Sequence, residues 1–317
     1  MNYDLFNGDA DGICALLQLR LDAPLDSELV TGVKRDINLL DKIAPAAGDR
    51  VTVLDISMDK NKAPLERALA KGAEVFYVDH HYPGDIPDHP KLTSLINESP
   101  EVCTAALVNG HLNGRHVEWA ITGAFGDNLQ QTARALARET RLTEEELSLL
   151  EALGTYINYN GYGPTIDDPH YHPRDLYLAL KEVGEPLAFA RESSDFTRLS
   201  EGYRDDMAKA GGLVPTQANA ETAVFVLPNE AWARRVSGVY SNDLAVDNPD
   251  RAHAVLTEKD NSNYLVSVRA PMSNKQGAAD LCRQFPTGGG RAGAAGINDL
   301  PADSLDAFVA AFQQAYA

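Results

Sequence analysis

The sequence predicts an α/β protein whose N-terminal domain holds a parallel sheet with helices on both faces. The first observation is that short apolar segments alternate with amphipathic helical ones, as in NYDLF at 2–6, RVTVLDI at 50–56 and AEVFYV at 73–78. Such alternation is typical of parallel strands joined by helices. The second observation is that strand-like and helix-like segments resume after about residue 219. They predict a smaller α/β domain, separated from the first by a cleft.

The other elements of the first domain follow from the same patterns. Helices are expected at GICALLQLRL (12–21) and KNKAPLERALAKG (60–72), and strands at ELVTGV (28–33) and LTSLI (92–96). Residues 101–154 have a mostly helical pattern. The next segment, TYINYNGYGPTIDDPHYHP, is rich in Tyr, Asn, Gly and Pro, which favours an irregular ordered loop over residues 155–173.

The second domain is predicted to contain three strands and two helices. The strands are TAVFVL (222–227), AHAVLTE (252–258) and YLVSVRA (264–270), and the helices are KQGAADLCRQF (275–285) and DSLDAFVAAFQQAY (303–316). We therefore expect a first domain over residues 1–190, a helical connector over 191–218 and a second domain over 219–317.

Composition limits the partners of the chain. Its 317 residues carry a net charge of -18, which argues against a protein that binds long duplex DNA. There is no N-terminal signal pattern and no run of about 18 apolar residues, so no membrane segment is expected. Cys14, Cys103 and Cys282 are widely spaced, as in proteins of a reducing cytoplasm, and we expect a cytoplasmic location.

Acidic residues and histidines follow several of the predicted elements. They are Asp9 and Asp11 after the first strand, Asp55 after the third, Asp79, His80 and His81 after the fourth, and Asp127 after an apolar helical run. The carboxyl ends of parallel strands meet at one edge of a sheet. Carboxylates gathered there repel one another unless a cation neutralises them, and oxygen ligands with imidazole suit Mn²⁺ or Mg²⁺. Each Asp taken alone could instead be a helix cap.

The ordered set of motifs resembles the DHH-family phosphoesterases. The motifs are NGDADG (7–12), Asp55 after a strand, VDHH (78–81) and GAFGD (123–127), and the C-terminal TGGGRAGAAGI (287–297) is similar to the glycine signature of the DHH-associated substrate-binding domain. The family includes RecJ-type exonucleases, nanoRNases, cyclic-dinucleotide phosphodiesterases, exopolyphosphatases and family II pyrophosphatases. The resemblance covers most of the chain.

The resemblance implies a role for each residue of the set. Asp9 would bind a first metal ion, Asp55 would bridge two ions, and the second would be held by Asp11, His80 and Asp127. Asp79 would orient a histidine, and His81 would contact the substrate phosphate as a catalytic group. The implied cofactor is a pair of Mn²⁺ ions, with Mg²⁺ or Co²⁺ as alternatives, activating water for hydrolysis.

Two positions depart from the family pattern. Asn7 stands where relatives carry His or Asp, so it would be an uncharged, weak metal ligand. Arg291 replaces the histidine of the glycine signature, which favours phosphate anchoring over proton transfer. The residues expected to bind substrate in the second domain are Arg269, Lys275, Gly288, Gly289, Gly290 and Arg291.

The function indicated is hydrolysis of short oligonucleotides or related nucleotide phosphates. Two alternatives stay open: hydrolysis of polyphosphate or pyrophosphate, and a catalytically weakened nucleotide-binding protein. The expected partner is a short single-stranded oligonucleotide or a small phosphorylated ligand, and a homodimer is left open. Tyr156, Tyr159 and Tyr162 could stack on bases, or could be structural.

Overall fold

The computed structural model describes all residues, 1–317, and the chain divides into two compact units, 1–202 and 203–317. The division falls within the helix Ser194–Gly211. The bounds 190 and 218 expected for the connector stay predictions. No helix is both long enough and apolar enough to cross a membrane.

The first unit contains a five-stranded sheet. Its strands are β1 (Asn2–Phe6), β2 (Glu28–Val30), β3 (Arg50–Leu54), β4 (Glu74–Asp79) and β5 (Leu92–Ile96). All pair in parallel, in the order β2-β1-β3-β4-β5, which confirms the predicted parallel sheet. Because β1, β3 and β4 are neighbours, the segments that follow them leave the same edge of the sheet side by side.

Helices cover both faces of this sheet. They are α1 (Ala10–Asp22), α2 (Lys62–Ala70), α3 (Thr104–His111), α4 (Val117–Gly126), α5 (Gln130–Ala137), α6 (Glu144–Asn160), α7 (Pro173–Val183), α8 (Pro186–Glu192) and α9 (Ser194–Gly211). Adjacent strand residues point to opposite faces, so Phe6 packs with α1 and the later helices, while Leu5 packs on the α2 side. Each face therefore has its own hydrophobic core.

Helix α6 is longer than the sequence predicted. It begins at a capping box formed by Thr143 and Glu146 and continues to Asn160, so the expected irregular loop at 155–173 starts only at 161. Leu153 and Ile157 are fully buried four residues apart on this helix. Their burial stabilises the last turns of α6, although the segment from 155 to 160 is rich in Tyr and Asn.

Three helices meet closely because glycine lies at their contacts. A Cβ on Gly126, at the end of α4, would lie 2.2 Å from the Cβ of Ala10 and 2.8 Å from the carbonyl oxygen of Gly154. Only glycine fits between these two neighbours. The close approach places Asp127, the next residue, beside the start of α1.

The second unit contains a six-stranded mixed sheet. Its elements are β6 (Gln217–Ala218), β7 (Thr222–Leu227), α10 (Ala231–Asp247), β8 (Ala252–Glu258), β9 (Tyr264–Arg269), α11 (Ala278–Cys282), β10 (Gly288–Gly290), β11 (Ala294–Leu300) and α12 (Leu305–Ala315). The strand order is β10-β11-β9-β8-β7-β6, and only β7 and β8 pair in parallel. The sequence reading missed α10, and it extended α11 over 275–285.

Candidate active site

The structure brings the acidic residues and histidines of the first unit together at the carboxyl edge of its sheet. Asp9 and Asp11 lie at the start of α1, Asp55 follows β3, Asp79 ends β4, and Asp127 follows α4. Asp9, Asp11, Asp55 and Asp79 are at most 2% exposed, so these carboxylates are held away from bulk water. Such burial requires compensating partners for their charge.

Asp9 and Asp11 are held by backbone groups. Asp9 is the N-cap of α1, and its Oδ1 accepts a hydrogen bond of 3.1 Å from the Gly12 N–H. The two oxygens of Asp11 accept hydrogen bonds from the N–H groups of Thr104 and Ala105, at 2.8 and 2.7 Å. These donors lie in the first turn of α3, where the helix dipole favours a carboxylate.

Asp55 has an unusual backbone conformation. Its φ of 59° lies in the left-handed region, which Asp and Asn tolerate better than most residues. The conformation turns the chain sharply after β3, while the Asp55 N–H still donates to the Val78 carbonyl at 3.0 Å. The Oδ1 of Asp55 lies 3.4 Å from Nε2 of His80 and 4.0 Å from Nδ1 of His81.

The two histidines have different partners. His80 Nδ1 lies 2.9 Å from the Val102 carbonyl, so Nδ1 carries a proton and Nε2 is the ring atom that faces the carboxylates. His81 Nδ1 lies 2.7 Å from Oδ1 of Asp79. Asp79 therefore orients His81, whereas the Val102 carbonyl orients His80. The His80 side chain is 7% exposed and that of His81 is 40% exposed.

One group of side chains has the composition of a divalent cation site. From Nε2 of His80, carboxylate oxygens lie 3.4 Å away on Asp55, 3.8 Å on Asp11 and 3.9 Å on Asp127. Ligands around an octahedral ion with bonds of about 2.1 Å lie roughly 3–4 Å apart. Two ligand sets can be drawn from these residues: Asp11, His80 and Asp127, and Asp55, His80 and His81. The residues therefore fit a divalent metal ion.

The electrostatics of the cluster also favour a bound cation. Burial raises the pKa of Asp55 well above its usual range, and the charges of Asp11 and Asp9 raise it further. Burial, opposed in part by the charge of His80, also raises the pKa of Asp11. Proton binding is thus easier at Asp55 and Asp11 than in water, as expected where carboxylates crowd together without a cation between them.

Lys34 is a member of the site that the sequence reading missed. Its Nζ lies 2.6 Å from Oδ2 of Asp9 and 3.7 Å from Oδ1 of Asp127. Burial would raise the pKa of Asp9, but the charge and hydrogen bond of Lys34 lower it below its usual value. The signal in the sequence is weak, because VKRD at 33–36 reads as an ordinary exposed turn.

Asn7, expected as a weak metal ligand, has both polar atoms engaged. Its Oδ1 accepts from the Asp9 N–H at 3.2 Å, and its Nδ2 donates to the Lys34 carbonyl at 3.2 Å. The amide therefore links the first turn of α1 to the Lys34 backbone. Its role as a metal ligand stays a prediction.

The tyrosine-rich segment is largely structural. Tyr159 is fully buried, with its hydroxyl 2.8 Å from Nε2 of His170. Tyr156 packs against Phe196, with ring centroids 5.5 Å apart. Only Tyr162 lies near the site, with its ring centroid 5.8 Å from Nζ of Lys34. Tyr156 and Tyr159 therefore do not form the exposed stacking surface that the sequence left open.

The basic residues expected to bind substrate in the second unit lie around one hairpin turn. Arg291 opens the turn between β10 and β11, where its N–H donates to the Ala294 carbonyl at 2.9 Å. Arg269 on β9 pairs in register with Ala294, and the Cβ of Lys275 would lie 3.0 Å from a Cβ on Gly293. The turn thus brings the backbone segments that carry Arg269, Lys275 and Arg291 together, and the Arg269 guanidinium donates to Oδ1 of Asn242 and to the Val268 carbonyl.

The glycines of this hairpin have two kinds of environment. A Cβ on Gly288 would lie 1.8 Å from the Cys282 carbonyl oxygen, and Gly290 has a φ of 139°, so both positions require glycine for the fold itself. A Cβ on Gly289 would meet nothing within 4 Å. Gly289 is therefore the one glycine of the three at which a side chain would meet no other atom.

The fold resembles that of the DHH phosphoesterases. No protein-family model and no curated protein matches the sequence. Solved structures do match: a pGpG-specific phosphodiesterase, PggH, from Vibrio cholerae superposes with a TM-score of 0.56 and 15% identity, over 99% of this chain and 98% of that one.

Two RecJ structures also match. RecJ from Thermus thermophilus, in complex with Mn²⁺, gives a TM-score of 0.62 and 17% identity, over 98% of this chain and 51% of that chain. An exonuclease RecJ bound to manganese gives a TM-score of 0.57 and 18% identity, over 98% and 88% of the two chains. The chain therefore has the DHH-family fold over nearly its whole length.

Proposed function

We propose that this protein is a metal-dependent phosphoesterase that hydrolyses short oligonucleotides or related nucleotide phosphates. The observation that carries the proposal is that carboxylate oxygens of Asp55, Asp11 and Asp127 lie 3.4, 3.8 and 3.9 Å from Nε2 of His80. A divalent ion held there would activate water and neutralise charge on the phosphate. Mn²⁺ is the first candidate because carboxylate oxygens with imidazole suit it.

His81 is placed to act on the substrate. It is more exposed than the other site residues, and Asp79 fixes Nδ1–H, so that Nε2 is the ring atom left for a substrate oxygen. Burial lowers the pKa of His81, but the hydrogen bond and charge of Asp79 outweigh it, and the net pKa is raised. A histidine held in this way can donate a proton to a phosphate oxygen.

The basic hairpin turn of the second unit is the proposed phosphate anchor. Arg291 and Lys275 are exposed there, and an Arg guanidinium binds phosphate through two parallel hydrogen bonds. A small basic region in a chain of net charge -18 suits a short anionic ligand better than a long polymer. Two proteins with a similar fold, a pGpG-specific phosphodiesterase and an exonuclease, act on substrates of the same class, which supports the proposal.

A second candidate, hydrolysis of pyrophosphate or polyphosphate, is favoured by the burial of Tyr159 and by the packing of the partly buried Tyr156 against Phe196. These two rings provide little surface on which a base could stack. A phosphoanhydride substrate needs no such surface.

One substrate panel separates the candidates. Purified protein with Mn²⁺ would be given phosphorylated dinucleotides, short RNA and DNA, cyclic dinucleotides, pyrophosphate and polyphosphate. We expect mononucleotides to be released from the shortest oligonucleotides. Turnover of polyphosphate or pyrophosphate alone would favour the second candidate. Ligand binding without any turnover would favour the nucleotide-binding alternative and overturn the proposed activity.

A further inference from the structure

We infer that the ammonium group of Lys34 takes the place of one of the two metal ions, so that the site binds a single divalent ion. The inference rests on the proposed function, because it concerns the cation site of that activity. It replaces the two-ion expectation with one metal ion and one built-in cation.

The ammonium of Lys34 lies where the first metal ion is expected, beside the carboxylate of Asp9. Nζ of Lys34 lies 2.6 Å from Oδ2 of Asp9, the residue expected to bind the first ion. A divalent ion bound to this carboxylate would lie about 2.0–2.2 Å from its oxygen, and thus next to the ammonium. Two cations at this separation repel each other strongly in a buried site. The ammonium of Lys34 is therefore the cation that neutralises the carboxylate of Asp9.

Lys34 is held in this position by hydrogen bonds from both its backbone and its side chain. Its backbone N–H donates to the Gly161 carbonyl at 2.8 Å, and its own carbonyl accepts from the Asn7 amide. The ammonium also donates to Oδ1 of Asn158 at 3.0 Å, and Asn158 is 4% exposed. These contacts fix both ends of the side chain, so a bound metal would have to displace several buried partners.

The contact between Asn7 and Lys34 explains why position 7 carries an amide. The Nδ2 of Asn7 donates to the Lys34 carbonyl, and a carboxylate at position 7 would present an oxygen to that carbonyl instead. The amide of Asn7 therefore supports the backbone of Lys34, which an acidic metal ligand at position 7 could not do. Asn at position 7 and Lys at position 34 are thus mutually compatible.

The remaining ligands suit one ion. With Asp9 paired to Lys34 and Asp79 paired to His81, the acids left around Nε2 of His80 are those of Asp11, Asp55 and Asp127. Three carboxylates and one imidazole are a sufficient ligand set for a single Mn²⁺. Lys34 then supplies a permanent positive charge to Asp127: its Nζ lies 3.7 Å from Oδ1, whereas Oδ2 of Asp127 faces His80.

The test is a count of bound ions by calorimetric titration with Mn²⁺ alone, checked by electron paramagnetic resonance. The wild-type chain should bind one Mn²⁺ per chain in the site and give the spectrum of isolated ions rather than that of an exchange-coupled pair. Lys34→Ala should gain a second binding event, because Asp9 loses its cation. Lys62→Ala removes a lysine whose only ion-pair partner is the exposed Asp85, and it should leave the count at one.

The outcomes separate this inference from the proposed function. Two ions in the wild-type site, or an exchange-coupled spectrum, would overturn the single-ion inference while leaving the proposed activity standing. A Lys34→Ala titration identical to that of the wild type would overturn it as well. No Mn²⁺ binding at all would overturn the proposed function, and the inference with it.

Discussion

His81 Nδ1 lies 2.7 Å from Oδ1 of Asp79, so the more exposed histidine of the pair is held by a carboxylate that is fully buried. The other oxygen of Asp79 is buried and has no hydrogen-bond partner among the protein atoms. The Asp79 side chain therefore orients His81 and no other residue. His80 is oriented by the Val102 carbonyl, so the two adjacent histidines depend on different partners.

We predict that Asp79→Asn lowers kcat about 10- to 100-fold while leaving Mn²⁺ affinity nearly unchanged, because it removes the charge that holds His81 but not the contact that orients His80. Steady-state kinetics and Mn²⁺ titration of the same preparation check this. Asp88→Asn, at an exposed position, is the matched control. A large loss of Mn²⁺ affinity in Asp79→Asn would show instead that Asp79 supports the metal ligands.

The helix contact at Gly126 gives a second prediction. Gly126→Ala should destabilise the protein by about 1–3 kcal/mol or more, because its Cβ would meet that of Ala10 at 2.2 Å. It should also weaken Mn²⁺ binding by displacing Asp127. Gly110→Ala is the control: it lies on α3 with no atom within 4 Å of its Cβ and should be neutral or stabilising by about 0.5–1 kcal/mol. Urea unfolding compares the two, and equal effects would refute the close contact.

The phosphate anchor gives a third prediction. Arg291→Ala should raise KM for an oligonucleotide about tenfold with a smaller change in kcat, since a hydrogen bond to a charged group contributes about 1.5–3 kcal/mol. Arg283→Ala is the control, because Arg283 is an exposed arginine of the same unit that pairs with Asp280 at 3.4 Å. Equal effects of the two variants on KM would argue for general charge attraction rather than an anchor at the hairpin turn.

A buried histidine in the second unit predicts a pH dependence of stability. Burial and the charge of Arg251 lower the pKa of His253 from 6.5 to about 4, and its register partner on β9 is Arg269. Below about pH 6.5 His253 therefore binds a proton in the unfolded chain but stays neutral in the folded chain. The free energy of unfolding consequently falls as the pH drops towards about 4. The loss between pH 7 and pH 5 should be about 2 kcal/mol.

Urea unfolding at the two pH values measures this loss. His253→Leu, which cannot be protonated, should remove that part of the pH dependence. If the variant and the wild type lose stability equally, another group is responsible.

The sequence was sufficient for the features that depend on local patterns. The alternation of strands and helices predicted the parallel sheet, and the position of Asp55 and Asp79 directly after buried strands predicted their place at its edge. Both rules need only a few neighbouring residues, because strand direction and side-chain alternation are local properties. The same rule grouped Asp11 with them.

The features that the sequence did not reveal depend on contacts between distant segments. Lys34 reaches Asp9 across 25 positions and Asn158 across 124, and nothing within VKRD distinguishes it from a surface lysine. Tyr156 and Tyr159 resembled an exposed stacking surface, but Tyr159 is fully buried against His170 and Tyr156 packs against Phe196. Helix α10 was missed because its apolar residues are interspersed with Arg, Ser and Asp.

The proposed function requires that these acids and histidines form a metal-dependent hydrolytic site. Asp55→Asn tests it most directly, because Asn tolerates the left-handed backbone at position 55 and so removes the charge with little change in fold. Release of mononucleotide from a phosphorylated dinucleotide would be followed after EDTA treatment and again after Mn²⁺ is restored. The wild type should lose activity with EDTA and recover it with Mn²⁺, and Asp55→Asn should stay inactive throughout. Turnover that survives EDTA, or that persists in Asp55→Asn, would contradict the proposed function.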